Sequence, residues 1–478
     1  MFEPQEVKEL VSQALQSSCD FFRQDKLQDS ALLTQQILKI DPSNVPALQL
    51  LGLIEYRQKN YEKALEFFQQ ALEIDSTNNE THNNIAICYS ALHNYDKAIE
   101  HLNATKKADH VTYGNLASQY RKKRDFDSAI EYFETALGMQ NDPHLLVGLG
   151  GVYGEANDMP KAIEYFEKAI ELDPDFTPAH VDLSYAYHLM GRWEEGWREY
   201  EFRHDYYQEF KKWERLYPPE KRWNGCDLNG KKLVVYCEQG WGDIFNFLRF
   251  VPKEAVLDVP VPIRGLLEKH GYTIERPEEY GYHCSMMSLP YLLNIDQEDV
   301  WKGPYIHTTK KADFGQYTGC KIGIVWAGGP RHPRDRTRSC PLRLFKPLVN
   351  LPNTHLFSLQ KDLRVRNFPG FGLVDLAEGA DFKLIDMSQF LDDWENTAAI
   401  VNQMDIIVTV DTAIAHLAGS MGKKVFAMIG YNPDWRWRLS GETTIWYPTV
   451  RLFRQENYGD WESVIQSITE ALRAEQPR

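Results

Sequence analysis

The chain has 478 residues, of which 43% are hydrophobic and 25% are charged, a composition typical of two to four folded domains. No apolar stretch approaches the roughly 20 residues that a membrane helix needs, and the first residues lack the regions of a signal peptide, so we expect a cytoplasmic protein without a membrane span. Residues 1–220 carry 22 Lys and Arg against 37 Asp and Glu, whereas the remainder carries 31 of each. This acidic first part argues against nucleic acid as a partner.

The cysteines are scattered along the chain without any Cys-x-x-Cys pair. A zinc site or a disulfide framework is therefore not indicated, and structural thiols are expected. The seven positions are Cys19, Cys88, Cys226, Cys237, Cys284, Cys320 and Cys340.

Small residues recur in the first part of the chain at intervals of 34, 31, 33 and 34 residues. Each of them follows an aromatic or apolar residue by three positions, which predicts two helices per unit. Asp-Pro pairs at 41–42, 142–143 and 173–174 are expected to end second helices, because proline cannot continue a helix. The recurring positions are Ala64, Ala98, Ala129, Ala162 and Gly196.

This pattern resembles tetratricopeptide repeats over residues 1–203, with 1–44 as a degenerate capping pair. Stacked helix pairs form a superhelix whose concave face is lined by first helices, so the resemblance implies a groove that docks a protein partner. A solvated helix face is the alternative for each polar residue there. The candidates for that groove, all expected to be exposed, are Asn83, Asn84, Asn115, Gln119 and His180.

A polar and aromatic joint is predicted at 204–229, and the first α/β unit follows it. An apolar strand at 233–237 leads into a turn with Gly240 and Gly242, where glycines allow a ligand to approach the backbone closely. With only these two glycines, the dinucleotide-binding fingerprint is incomplete. Asp243 opens the next helix, either as a cap of its free N–H groups or as a general base at the mouth of a cleft.

A second α/β unit begins with the strand at 321–327. Four arginines then lie within eight residues, between 331 and 338, and two prolines keep this loop out of a helix. Such a loop can bind phosphate or carboxylate with forked donors, although a solvated charge run is the alternative.

Further strands at 354–359, 382–386, 406–410 and 424–429, with a helix at 394–402, predict a doubly wound parallel sheet. Ligands of such sheets bind at the carboxyl ends of the strands. Lys361, Asp411, Thr412 and His416 belong to that edge, although a lone helical histidine is often a packed core residue.

Six segments of this half together resemble the tetratricopeptide-repeat glycosyltransferases of bacteria, whose catalytic part is similar to heptosyltransferases and, more remotely, to O-linked N-acetylglucosamine transferase. The resemblance implies an α-solenoid followed by a GT-B domain of two Rossmann-like halves. The acceptor half would cover 230–306, shortened by about one strand-helix unit, and the nucleotide-sugar half 307–478, with the final helix at 460–474 crossing back. The six segments are 238–243, 325–328, 335–339, 358–361, 410–419 and 433–437, the last of them followed by 446–448 and 451–455.

The resemblance also implies inverting transfer without a metal, because helix N-termini and basic residues can neutralise the departing phosphate. Asp243 matches the aspartate that acts as the base, and the nucleotide sugar is a co-substrate, so no cofactor is expected. Trp435 and Trp437 would either pack the cleft or stack on the base. The donor-binding residues would be Gln239, Gly240, Arg336, Arg338, Lys361, Asp411, Thr412, Ala413 and His416.

The leading hypothesis is a glycosyltransferase that moves a sugar from a nucleotide sugar to a Ser or Thr hydroxyl of a protein held by the repeats. Flagellin or another surface protein would fit the family. The alternative is a protein-binding adaptor with a degenerate glycosyltransferase domain, and a third possibility is transfer to a glycan or lipid carrier. The sequence does not identify the sugar, the nucleotide or the acceptor.

Overall fold

A computed structural model describes residues 4–206, 210–274, 277–329, 335–361, 365–368, 372–375 and 380–475. Its contacts divide the chain into two compact units, with the division between Pro174 and Asp175. In the part that is described, no helix is both long and apolar enough to cross a bilayer.

The first unit is a series of antiparallel helix pairs. Ala64, Ala98, Ala129 and Ala162 are fully buried in the second helices, as the repeat pattern requires, because a larger residue would keep the paired helices apart. The helices are α1 (Pro4–Arg23), α2 (Leu27–Ile40), α3 (Val45–Arg57), α4 (Tyr61–Ile74), α5 (Asn79–Ala91), α6 (Tyr95–Asn103), α7 (His110–Lys123), α8 (Phe126–Met139), α9 (Pro143–Glu155) and α10 (Met159–Leu172).

The Asp-Pro pair at 142–143 begins a helix instead of ending one, so that prediction is wrong. Asp142 is the N-cap of α9 and accepts a hydrogen bond from His144 N at 2.7 Å. Pro143 occupies the first helical position, where a missing N–H costs nothing because no partner exists for it within the helix.

The polar groove candidates of α5 and α7 bind one another more than they face solvent. Asn115 Nδ2 donates to Asn83 Oδ1 at 2.8 Å, and Asn83 Nδ2 donates to Thr112 Oγ1 at 3.2 Å. Asn83 and Gln119 are buried. The prediction that these two side chains are exposed is therefore wrong. Asn83 is covered by hydrogen bonds between neighbouring first helices, whereas Gln119 Nε2 donates to Asn115 O of its own helix at 3.3 Å.

The second unit opens with helices and continues as alternating strands and helices. Its helices are α11 (Thr177–Met190), α12 (Trp193–Tyr200), α13 (Arg203–Tyr206), α14 (Phe210–Leu216), α15 (Trp241–Phe247), α16 (Val261–Lys269), α17 (Leu289–Leu292), α18 (Asp335–Arg338), α19 (Lys346–Val349), α20 (Trp394–Gln403), α21 (Ala413–Ser420) and α22 (Trp461–Glu475). Its strands are β1 (Leu233–Tyr236), β2 (Val256–Asp258), β3 (Tyr282–Ser285), β4 (Cys320–Val325), β5 (Thr354–Ser358), β6 (Val365–Phe368), β7 (Gly372–Asp375), β8 (Ile385–Asp386), β9 (Ile406–Val410), β10 (Val425–Ile429) and β11 (Val450–Arg454).

Two parallel sheets organise this unit. The smaller has the order β2-β1-β3, and the larger has the order β11-β10-β9-β4-β5-β8, while β6 and β7 form a separate ribbon. All residues of β9 and β10 are buried, as expected for central parallel strands covered on both faces. The second unit is therefore an α/β domain, and its first sheet has three strands.

The helix pair α11–α12 belongs to the second unit, although the sequence placed it in an array ending at 203. His180 of α11 is buried, unlike the exposed groove residue expected, because its ring lies 3.6 Å from that of Phe202 and Nδ1 lies 2.5 Å from Glu199. His180 thus packs inside the second unit.

The last helix, α22, packs on the larger sheet. Trp461, Ile465 and Ile468 share one apolar cluster with Ile324 of β4 and Val408 of β9. This differs from a helix that crosses back to the first half, because the buried face of α22 is used by its own sheet.

Two glycines of the repeat unit predict opposite effects of the same substitution. A Cβ on Gly52 would lie 2.5 Å from the ring of the fully buried Phe68, whereas a Cβ on Gly138 would meet nothing within 4 Å. We expect Gly52→Ala to lower the free energy of unfolding by about 1–3 kcal/mol, and Gly138→Ala to raise it by up to about 1 kcal/mol through helix propensity. Urea unfolding followed by circular dichroism measures both, and a destabilised Gly138→Ala or a stabilised Gly52→Ala would contradict this packing.

Candidate functional site

A cavity of about 590 Å³ lies in the second unit, where the carboxyl ends of four strands of the larger sheet face the turn after β1. In the order of that sheet, β4 has β5 on one side and β9 on the other, so the direction of winding reverses between β4 and β9. Open α/β sheets bind ligands at such a switch point. The segments after β4 and β9, with Gly328 and Asp411, line this cavity.

Most of the predicted site residues meet in this cavity. The exceptions are Trp435, which is absent from the lining, and Arg336, whose side chain lies outside the described residues. The predicted residues that line the cavity are Gln239, Gly240, Asp243, Arg338, Lys361, Asp411, Thr412, Ala413, His416 and Trp437.

Asp243 lies in the first turn of α15, and both of its carboxylate oxygens have partners. Oδ2 accepts a hydrogen bond from Gly240 N at 3.0 Å, which satisfies an N–H at the start of the helix, while Oδ1 lies 2.5 Å from Arg436 Nη2. Burial raises the pKa of Asp243, against the opposing effect of the Arg436 charge. The capping role is thus present, and a raised pKa is also what a base needs.

Arg436 is buried in the wall of the cavity and is shared between two carboxylates. Its Nη1 donates to Asp434 Oδ1 at 2.9 Å, and its Nε to Asn246 Oδ1 at 3.3 Å. Burial acts to lower the pKa of Arg436, but Asp434 and Asp243 outweigh it and raise the pKa. The guanidinium therefore stays charged and ties the segment 434–437 to α15.

The start of α21 faces the cavity with a helix end suited to an anion. Thr412 is the N-cap, yet its hydroxyl lies 2.9 Å from Thr409 Oγ1 and makes no capping hydrogen bond to the described part of the helix. First-turn N–H groups and the helix dipole favour negative charge at such a position.

Two cations, Arg338 and Lys361, line the same cavity. Arg338 Nε is buried without a hydrogen-bond partner among the described residues, and it lies 4.0 Å from Asp335 Oδ1. Lys361 is more exposed, and its Nζ lies 4.0 Å from Asp392 Oδ1. A guanidinium with an unused donor is a group that binds phosphate or carboxylate.

His416 is a packed, neutral residue in this structure. Burial, followed by the Arg436 charge, lowers its pKa to about 3. Nδ1 lies 3.1 Å from the Tyr447 hydroxyl, and the ring stacks on Trp437 with centroids 5.3 Å apart. The histidine thus shapes the cavity wall as a polar core residue.

Neither Trp435 nor Trp437 offers a ring face to a nucleobase. Trp437 is 1% exposed and stacks on His416. Trp435 is 6% exposed, with the rings of His188 and Trp197 at 4.7 and 5.3 Å. Of the two roles expected for these tryptophans, the structure has cleft packing.

Sequence reasoning missed the contribution of α11 and α12. Tyr185 Oη donates to Pro433 O at 2.8 Å, and Trp193 stacks on Trp446 with centroids 5.1 Å apart. These contacts hold the segment that carries Arg436. No short motif marks them, because the partners lie more than 240 residues apart in the chain.

Arg436 and Asp434 were also missed, although both lie in the segment 433–437 that carried the family resemblance. A charged pair flanked by tryptophans was the available signal, since a charge inside an aromatic core requires an opposite charge. The sequence does not show which carboxylate on another element provides it.

The sequence profile of the tetratricopeptide repeat family matches residues 44–107 and 108–175. The amino-terminal part of the chain is therefore a helical solenoid of tetratricopeptide repeats, a fold that suggests protein binding. The profile ends at the division between the two compact units, and the last helix pair, α11–α12, lies beyond it.

The chain is similar to protein FlbA of Caulobacter vibrioides, with 25% identity in an alignment 456 positions long that covers 78% of this chain and 74% of FlbA. Solved structures similar to this chain include that of PilW, a type IV pilus biogenesis factor. PilW has 20% sequence identity and a TM-score of 0.38, and the match covers 42% of this chain and 97% of PilW. A second such structure is that of pilF of Pseudomonas aeruginosa, with 16% sequence identity and a TM-score of 0.37. That match covers 44% of this chain and 99% of pilF.

The pKa of Asp411 predicts a pH-dependent stability. Burial, followed by the Asp434 charge, raises the pKa of Asp411 to about 6, against about 3.9 for an unfolded chain. The folded state then binds this proton more tightly, so the contribution of Asp411 to stability falls as the pH rises from about 4 to about 6. Asparagine at this position does not titrate and so avoids this loss. We therefore expect the free energy of unfolding of Asp411→Asn, relative to that of the wild type, to rise by about 2 kcal/mol between pH 4 and pH 6.

Urea unfolding of the wild type and Asp411→Asn at pH 4.5 and at pH 7 measures the change. Asp299→Asn, a substitution at an exposed carboxyl paired with Lys302, is the matched control. Wild type and Asp411→Asn differing by the same amount at both pH values would contradict the raised pKa.

Proposed function

We propose that this protein is a glycosyltransferase that moves a sugar from a nucleotide sugar to a hydroxyl group in the cavity described above. The observation that carries the proposal is the meeting of a partly buried carboxylate, Asp243, with a helix start suited to an anion at Thr412 and the cation Arg338 in one cavity. A transferase of this kind needs a base beside the acceptor hydroxyl and positively charged protein groups beside the leaving phosphate.

The proposed reaction is an inverting displacement without a metal. The acceptor O–H gives its proton to Asp243 as its oxygen forms the new bond to the anomeric carbon. The bond from that carbon to the phosphate oxygen breaks, and its electron pair leaves with the nucleotide. N–H groups at the start of α21, with Arg338 and Lys361, stabilise the negative charge that develops there.

The two parallel sheets support a GT-B arrangement of the α/β domain. In this proposal, the smaller sheet within 230–306 is the acceptor half, and the larger sheet within 307–478 holds the nucleotide. The three strands of the smaller sheet agree with a shortened acceptor half, so that part of acceptor recognition would fall to another part of the chain.

The repeats are the natural candidate for that recognition. Tetratricopeptide arrays bind protein segments, so we propose a protein acceptor with a Ser or Thr hydroxyl, such as flagellin or another surface protein. Transfer in the cytoplasm would precede export of such a protein.

One observation favours the alternative, a protein-binding adaptor. Asp243 already uses Oδ2 for Gly240 N and Oδ1 for Arg436, as in a carboxylate that serves structure. A base must be able to accept a further proton, so Oδ1 has to exchange part of its contact with Arg436 during turnover. Arg436 retains Asp434 in that event.

The decisive test uses purified protein with a panel of nucleotide sugars, with release of the free nucleotide as the measure of turnover. We expect Asp243→Asn to lower turnover by at least about 100-fold, because a carboxamide cannot act as the base, while nucleotide affinity changes little. Asp299→Asn, at the exposed carboxyl that pairs with Lys302, serves as the control and should keep full turnover.

Turnover by Asp243→Asn within a few fold of the wild type would remove Asp243 from the mechanism. Wild-type protein that binds a nucleotide sugar but never releases the nucleotide would favour the adaptor. Absence of binding by every member of the panel would reject the glycosyltransferase proposal.

A further inference from the structure

The cavity wall beside Asp243 carries two tryptophans that the site described above leaves without a role. Trp241 is the first residue of α15, and Trp394 is the first residue of α20. Both line the cavity and both are only partly buried, in contrast to Trp435 and Trp437. Their ring centroids lie 5.5 Å apart with an angle of 54° between the planes.

The Trp394 ring is held in place from behind. The edge of Phe245, a fully buried residue of α15, meets the Trp394 ring at 4.7 Å and 77°. Asp393 caps α20 and accepts from Asn396 N at 2.7 Å, which fixes the start of the helix on which Trp394 lies. A fixed and partly exposed aromatic pair in a polar cavity is suited to stacking on a ligand ring.

The polar groups around the pair suggest which ring this is. Asp392, two residues before Trp394, lines the same cavity with a side chain that is 83% exposed. A carboxylate accepts hydrogen bonds from hydroxyl groups, and the negative face of an indole attracts the C–H face of a pyranose. Two aromatic rings beside the carboxylate of Asp392 therefore match the faces and hydroxyl groups of a sugar ring.

The position of Trp241 distinguishes the sugar from the nucleobase. Gly242 follows Trp241, and a Cβ on it would lie 2.9 Å from His416 Cδ2 and 3.6 Å from Ala413 Cα. Trp241 is thus adjacent in the chain to a residue packed on the start of α21, where the proposed phosphate binds. In a nucleotide sugar the glycosyl ring is bonded directly to phosphate, whereas ribose separates the base from it.

We propose that Trp241 and Trp394 form the glycosyl subsite of the cavity, which stacks on the sugar ring of the donor while Asp392 accepts hydrogen bonds from its hydroxyls. This inference rests on the proposed function, because it assigns a part of the same donor. It places sugar selection on α15 and α20, and nucleotide binding on the larger sheet.

Calorimetry with matched pairs tests the subsite: UDP and UDP-glucose, GDP and GDP-mannose, ADP and ADP-glucose, CMP and CMP-N-acetylneuraminate. For the pair that the wild type binds, we expect Trp394→Ala and Trp241→Ala to lower the affinity for the sugar-bearing member about 10-fold. The affinity for the free nucleotide should fall less than about 2-fold. Trp394→Phe keeps a stacking face and should retain most of the affinity. Tyr291→Ala, at an aromatic residue that is 41% exposed and outside the cavity lining, is the control.

An equal loss for both members of the pair would assign the rings to the nucleobase and overturn the subsite. Unchanged binding in both alanine variants would overturn it as well, while leaving the proposed function in place. Absence of wild-type binding to all four pairs would overturn the proposed function and this inference together. Free-nucleotide affinity reports folding of the cavity, so a variant that loses sugar binding alone cannot be a misfolded one.

Discussion

A guanidinium buried between two carboxylates organises the second unit. Arg436 is 7% exposed, and taking its charge out of water costs several kcal/mol unless partners compensate. Asp243 on α15 and Asp434 beside Arg436 provide that compensation. Because the two carboxylates belong to elements far apart in the chain, one buried charge fixes the position of the cavity wall that carries the candidate base.

The repeats, the parallel strands of the larger sheet and the position of the candidate site at their carboxyl ends followed from the sequence, because each depends on local patterns. A 34-residue spacing of small residues predicts paired helices, and apolar runs that end in polar residues predict parallel strands such as β4, β5 and β9. Carboxyl ends of neighbouring parallel strands meet at one edge, which brings Lys361, Asp411 and Thr412 together without further information.

Features that depend on long-range pairing could not be predicted. The burial of Trp435 and Trp437 follows from contacts with α11 and with His416, and Asp243, the distant carboxylate that pairs with Arg436, lies on α15. For the same reason, the division between the two units lies at 174–175 and not at the predicted end of the array, residue 203. The contacts of Tyr185 and Trp193 with residues 433 and 446 join α11–α12 to the second unit. Periodicity identifies a helix pair but not the surface that covers it.

The most direct measurement is a crystal structure of the protein with a nucleoside diphosphate bound. We expect phosphate oxygens over the start of α21, within hydrogen-bond distance of the Ala413 N–H and the Arg338 guanidinium, with the cavity open toward Asp243. Density for the nucleotide elsewhere on the molecule, or side chains that fill the cavity between Thr412 and Asp243, would contradict it.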